Sequence, residues 1–202
     1  MLRLWALVVL FGSLTISGYY RIQARKLSGV IDRRREGGLV LAARAAGGLG
    51  AFGSVLAHAL IPGVMGWATF RAPEWVAWIG AAMGIFVIPG TYWVFSSIGR
   101  NVSETVLTKA RHDLVQHGPY RWIRHPLYTV GSVLLFALGL ILTSWLVLLF
   151  ALVAFVVFRF VVVPIEERQL IAKFGEGYRA YRRHTGAMLP RILPFCLLPS
   201  AF

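Results

Sequence analysis

The chain has 202 residues, 57% of them hydrophobic and only 14% charged, with a mean hydropathy of +0.68. A globular domain carries about 25% charged residues, so this chain lacks the polar surface to coat a soluble core and reads as an integral membrane protein. Its net charge of +13 lies between apolar runs rather than on one soluble face, which points to anionic lipid headgroups and not to nucleic acid.

Five apolar segments follow in order: Leu2–Tyr20, Leu39–Trp67, Trp75–Ile98, Thr129–Thr143 and Ser144–Val163. About 20 helical residues cross the hydrocarbon layer, which predicts an all-α bundle of about five transmembrane helices. Leu2–Tyr20 reads as a retained helix rather than a cleaved leader, because no small-x-small site stands out beside its long apolar run. The second segment carries Arg44 near its start, so its first turns are expected in the interface, where an arginine can snorkel. Gly47, Gly48, Gly50 and Gly53, then Gly80, Gly84 and Gly90, read as close helix packing. Pro62 and Pro89 are expected to kink their helices. The last two segments almost touch, and "LTSW" at Leu142–Trp145 predicts a tight helical hairpin.

Basic residues predict the orientation. Segment 21–36 holds six Lys/Arg, segment 99–128 five and the tail from 164 six, whereas loop 68–74 holds only Arg71. The positive-inside rule makes the three rich segments cytoplasmic, with the N-terminus outside, in the cell (inner) membrane. Cys196 is the single cysteine, so there is no intrachain disulfide and no metal cluster with cysteine spacing.

Reactive residues collect in two stretches on that cytoplasmic face. The first is "HDLVQHGPYRWIRHPLY", His112 to Tyr128. Gly118-Pro119 breaks the chain, and Pro126 restricts His125 to an extended conformation, so Arg124 and His125 form a non-helical entry to the fourth segment. The second stretch is "PIEERQLIAKFGEGYRAYRRHTG", Pro164 to Gly186. Pro164 suits the first turn of a helix, which would put Glu166 and Glu167 at its positive N-terminal end. Leu170, Ile171 and Phe174 form an amphipathic stripe, Gly175 and Gly177 mark a break, and Tyr178 and Tyr181 share a face. The short hairpin returns Glu166 and Glu167 to the face that carries Arg124 and His125. Ionisable residues facing one another at span ends form a candidate site. His112, Tyr120, Arg124, His125, Tyr128 and Glu166 would suit a ligand bearing both a cation and a carboxylate. No phosphate loop or Rossmann pattern is present.

These motifs, with "EE", "FGEGYRAY" and "LP" in order after the hairpin, resemble the isoprenylcysteine carboxyl methyltransferase family, a group of membrane methyltransferases related to the phospholipid N-methyltransferases. The resemblance covers roughly Gly99 to Pro190. It implies a single membrane domain, with spans in 1–98 and a cofactor-binding catalytic half in 99–194. It also implies S-adenosylmethionine as cofactor, S-adenosylhomocysteine as product, and a lipophilic acceptor among the membrane lipids: a prenylcysteine-like or isoprenoid carboxylate, or a lipid head group, with an amine or a thiol also open. By resemblance His112, Asp113, Leu114 and Val115 would line the adenosine side, and Tyr120 would close over the cofactor. His125, Pro126, Leu127 and Tyr128 would hold its amino-acid end beside Arg124, and Glu166 would face its positive groups. Thr105 or Glu104 would reach the same pocket. Arg124, His125, Glu166 and Glu167 are the expected catalytic residues, with no metal. In the prenylcysteine enzymes an arginine precedes the acidic pair by about four residues. Val162 stands there in this chain, with Arg159 nearly one turn earlier. The rival readings are a membrane reductase of the sterol-reductase type using NADPH, and a non-catalytic subunit or transporter. The sterol reductases are much larger, and a transporter would bury its polar residues near the midplane.

Overall fold

The structure, a computed structural model, describes residues 1–28, 38–99 and 114–191, with the side chains of 27, 28 and 38–46 excepted. These residues form α1 (Leu2–Ser28), α2 (Gly38–Leu60), α3 (Glu74–Ile98), α4 (Pro126–Ile141), α5 (Trp145–Val157), α6 (Val163–Phe174) and α7 (Glu176–His184). Leu2–Lys26, Glu74–Ile98 and Trp145–Phe174 are long and apolar enough to cross a membrane, while Gly47–Leu60 and Pro126–Ile141 are shorter apolar helices. The chain is an all-helical integral membrane bundle.

The helices alternate in direction. Trp5 Nε1 donates to Ala81 O at 3.1 Å near the starts of α1 and α3, and Ala24 packs on Phe95 near their ends, so these two run parallel. Gly80 meets Ala137 and Ile141, and Gly90 meets Val130, so α3 and α4 are antiparallel. Gly50 faces Phe150, and Val55 and Val147 share one cluster, with α2 antiparallel to α5. Burial against a neighbour gains little over burial in lipid, so close fit holds such a bundle together. An ideal Cβ on Gly80 would lie 2.7 Å from Ala137 O and Ile141 N, and one on Gly84 2.7 Å from Val9 Cγ2. Gly47, Gly48 and Gly53 face open space, so the expectation of close packing holds for only part of the glycine set.

The predicted hairpin is present. Thr143 turns with φ 46°, and Ser144 caps α5 by accepting from Val147 N at 3.3 Å. Phe70 N donates to Thr143 O at 2.9 Å, and Trp145 Nε1 to Trp67 O at 3.2 Å, so the α2–α3 loop seals this end of the bundle. The opposite end carries the candidate site.

Two local expectations are corrected. The second segment leaves the helix at Leu60, not Trp67, so Pro62 lies in the following turn and does not kink α2. Pro164 does fall in the first turn of α6, but that turn is not a free helix end. Helical backbone continues from α5 through a π-turn at Phe158–Val162 into α6, so Glu166 and Glu167 do not sit at a free N-terminus and gain no terminal dipole. The reading of Arg44 falls on a side chain outside the described residues.

Candidate active site

The approach to α4 is built by a glycine turn and a short parallel ladder. Gly118 has φ +61°, and a Cβ there would collide with the side chain of Ser97 on α3. Gly118 to Arg121 form a single 3₁₀ turn in which Pro119 and Tyr120 are buried. The chain then runs beside residues 186–188: Gly186 N donates to Trp122 O at 3.1 Å, Arg124 N to Gly186 O at 2.9 Å and His125 N to Ala187 O at 2.9 Å. Thr129 Oγ1 donates to Met188 O at 2.6 Å. Buried backbone ahead of the helix thereby finds partners. His125 is non-helical (φ −123°, ψ 56°), as the following proline requires, and Pro126 opens α4.

This frame brings Arg124 and His125 against the acidic pair of α6. Arg124 Nε and Nη2 both lie 2.8 Å from Glu167 Oε1, with both side chains buried. Its Nη1 donates to Thr185 O and, at 3.2 Å, to Arg182 O. Every nitrogen of Arg124 therefore has an acceptor inside the protein. Arg182 Nε lies 3.3 Å from the other oxygen of Glu167. His125 sits between the two carboxylates, with Nδ1 3.3 Å from Glu166 Oε2 and Nε2 3.5 Å from Glu167 Oε1. These are ion-pair distances without hydrogen-bond alignment: His125 Nε2 and Glu166 Oε2 are buried and make no hydrogen bond within the protein. Burial pushes the His125 pKa down, but contacts with Glu166 and Glu167 outweigh it and raise the group above its ordinary 6.5.

Aromatic rings wall the cluster. Tyr128 stacks on His125 (centroids 5.9 Å apart) and on Phe158 of the π-turn (4.7 Å). Gly175, with φ +55°, ends α6 and turns α7 back so that Tyr178 and Tyr181 pack on Leu170, with Ile171, Phe174 and Leu114 against them. Tyr181 Oη donates to Tyr120 O at 2.5 Å. Burial raises the pKa of Tyr120, Tyr178 and Tyr181, so all three hydroxyls stay neutral.

Arg124, His125, Glu166, Glu167 and Tyr128 thus meet as one cluster. Pro126 is buried beside it, and Leu114 and Tyr120 belong to the adjoining tyrosine layer. Val115 is half-buried. Leu127 packs with Ala24, Phe95, Ile16, Tyr20 and Ile98, on the α1–α3 side. Thr105, Glu104, His112 and Asp113 lie outside the described residues. Arg159 is exposed, its guanidinium 5.4 Å from the centroid of the exposed Phe160 ring. Residue patterns did not single out Arg182, Thr185 or Met188, nor Phe158. The signal nearest to them was "YRRHTG", whose arginines read as solvated charge.

Among the described residues there is no group of three metal-ligating side chains. The cluster does fit the cationic end of S-adenosylmethionine, since Glu166 keeps a buried oxygen without a hydrogen bond. A positive ligand group would satisfy it.

A family model described as phospholipid methyltransferase matches residues 69–177, from the loop before α3 into α7. Methanethiol S-methyltransferase 1 of Bradyrhizobium diazoefficiens is 37% identical over 71 residues, covering 35% of this chain and 24% of that protein. Methanethiol S-methyltransferase of Mycobacterium tuberculosis is 40% identical over 74 residues, covering 37% of this chain and 29% of its own length. The matched stretches span less than a third of either relative. Among solved structures, the eukaryotic intramembrane Ras methyltransferase, isoprenylcysteine carboxyl methyltransferase, aligns over 93% of this chain and 68% of that one. Its TM-score is 0.55 at 20% identity, a likeness of fold.

Proposed function

This chain belongs to the phospholipid methyltransferase family, and on that premise we propose that it is a membrane methyltransferase using S-adenosylmethionine, with a lipophilic acceptor that enters from the bilayer. The observation that carries the reading is the Arg124–His125–Glu166–Glu167 cluster. It is buried at one end of an apolar bundle and leaves one carboxylate oxygen, Glu166 Oε2, without a hydrogen bond, its charge facing only His125 Nδ1 at 3.3 Å. Polar groups gathered at one end rather than at the midplane favour an enzyme over a transporter. The relatives favour methyl transfer over NADPH-dependent reduction. The positive-inside rule puts this end, with Arg121 and the arginines of α7, on the cytoplasmic side.

S-adenosylmethionine supplies a methyl group on a sulfonium, which passes to the acceptor in a direct displacement. The protein's task is to position the reactants and exclude water. Glu166 would hold the positive end of the donor through Oε2. His125, between two carboxylates, keeps their side chains apart and oriented. Arg124 fixes Glu167 and ties α4 to α6 and to residues 182–185. The neutral tyrosines close the layer beside the cluster, and the Tyr128–Phe158 stack forms an apolar wall toward α5.

The acceptor on this reading is amphiphilic, its reactive head at the cytoplasmic interface and its tail between helices. The tail gains almost nothing over bilayer lipid, so it would position the head rather than add affinity. A second reading, a small thiol, is favoured by the names of the two bacterial relatives. A thiol must lose its proton, whereas a carboxylate acceptor need not. Transfer of labelled methyl to thiols and carboxylates of increasing tail length, in mixed micelles at fixed surface concentration, separates these readings. Turnover that rises with tail length supports the lipophilic acceptor. Equal turnover for tailless and long-tailed acceptors overturns it, and selective methylation of a short thiol establishes the second reading.

A further inference from the structure

The amino-acid end of the proposed donor is a zwitterion. Its carboxylate needs a cation as close to the site as Glu166 is for its ammonium. Arg124, the expected cation, is committed on every nitrogen to Glu167, Thr185 and Arg182. Arg179 pairs with Glu176, Arg121 lies over the Trp122 ring, and Arg159 over Phe160. Arg191 donates to Arg183 O, away from the cluster.

We propose that Arg182 binds the carboxylate of the methyl donor's amino-acid end, opposite Glu166, which binds its ammonium. The inference rests on the proposed use of S-adenosylmethionine. Arg182 touches the cluster through one nitrogen only, Nε to Glu167 Oε2 at 3.3 Å, and its side chain is 52% exposed. Among the described residues its two terminal nitrogens have no acceptor. A guanidinium left open on that edge offers the paired donors that a carboxylate takes. Arg182 belongs to the same linked cluster as Glu166, through Glu167 and His125: Glu166 Oε2 to His125 Nδ1 at 3.3 Å, His125 Nε2 to Glu167 Oε1 at 3.5 Å, Glu167 Oε2 to Arg182 Nε at 3.3 Å. Glu167 in this arrangement is a positioning residue. It aims Arg182 with one oxygen and is held by Arg124 through the other. The main-chain carbonyl of Arg182 also accepts from Arg124, which fixes the last turn of α7 against the site.

The test compares two ligands on the full chain in detergent. S-adenosylhomocysteine carries the amino-acid end, and 5′-methylthioadenosine has the adenosine and thioether without it. Calorimetry should show that Arg182→Gln weakens S-adenosylhomocysteine roughly 10- to 100-fold, the scale of a charge-assisted hydrogen bond. Affinity for 5′-methylthioadenosine should stay within about twofold. Arg182→Lys should recover part of the loss, and Arg179→Gln should change neither affinity. An equal loss for both ligands in Arg182→Gln would make Arg182 a mere support for Glu167 and overturn the assignment. So would wild-type affinity for S-adenosylhomocysteine in that variant. Wild-type protein that binds neither ligand overturns the donor assignment itself, and this inference with it.

Discussion

Glu167→Ala is the sharpest perturbation of the bundle's polar end. The Glu167 carboxylate receives Arg124 Nε and Nη2 at 2.8 Å and Arg182 Nε at 3.3 Å, and the side chains of Arg124 and Glu167 are 8% and 9% exposed. Removing one member of a buried pair leaves the other charge without compensation and costs about 3–5 kcal/mol. Arg124 keeps its bonds to Thr185 O and Arg182 O, and Arg182 is half-exposed, so the lower end of that range, about 3 kcal/mol, is expected. Glu176→Ala is the matched control. Its pair with Arg179 is exposed on both sides, so its removal should cost about 0–1 kcal/mol. Reversible unfolding in mixed micelles, titrated with denaturing detergent, measures both. Glu167→Ala no more destabilising than Glu176→Ala would refute the view that this pair joins α4, α6 and α7.

Glu166→Ala should weaken S-adenosylhomocysteine binding by about 2–5 kcal/mol, as for a desolvated charge contact. Arg168→Ala, at an exposed position, should change it by about 0–1 kcal/mol in the same calorimetric assay. The raised His125 pKa makes its protonated form stabilising. That contribution is fully present below about pH 6.5 and is lost as pH rises through the raised folded-state value, so unfolding stability should fall on the alkaline side and His125→Gln should flatten the profile. Gly80→Ala should cost about 1–3 kcal/mol because the new methyl meets backbone of α4, whereas Gly53→Ala, facing open space, should be neutral or slightly stabilising. In a Cys196→Ser background, Ala72→Cys should be labelled from outside intact cells and Gly177→Cys only after permeabilisation. Labelling of both from one side would break the five-span alternation.

The hairpin was legible because a polar pair, Thr143-Ser144, interrupts a long apolar run, and only a turn lets such residues face partners. Tyr178 and Tyr181 were legible from spacing, since residues three apart share a helix face. The continuity of α5 and α6 was not legible. Pro164 cannot donate a hydrogen bond and its ring crowds the preceding turn, so in sequence it reads as a helix start. In the structure the π-turn widens the helix just before it, with Val163 N bonding to Phe158 O, and the chain passes without a break. The pairing of 186–188 with 122–125 was equally hidden, because a main-chain ladder between distant residues leaves no side-chain period. Arg182 could not be separated from Arg179 and Arg183 by sequence. Its direction follows from how Gly175 turns α7 against α6, which is a tertiary matter.

The most direct test of the account is calorimetry of the purified full chain in detergent against S-adenosylhomocysteine and, separately, NADPH. Saturable binding of S-adenosylhomocysteine, weakened by Glu166→Ala, with none of NADPH, is the predicted result. Binding of NADPH alone would contradict a methyltransferase and return the chain to the reductase reading.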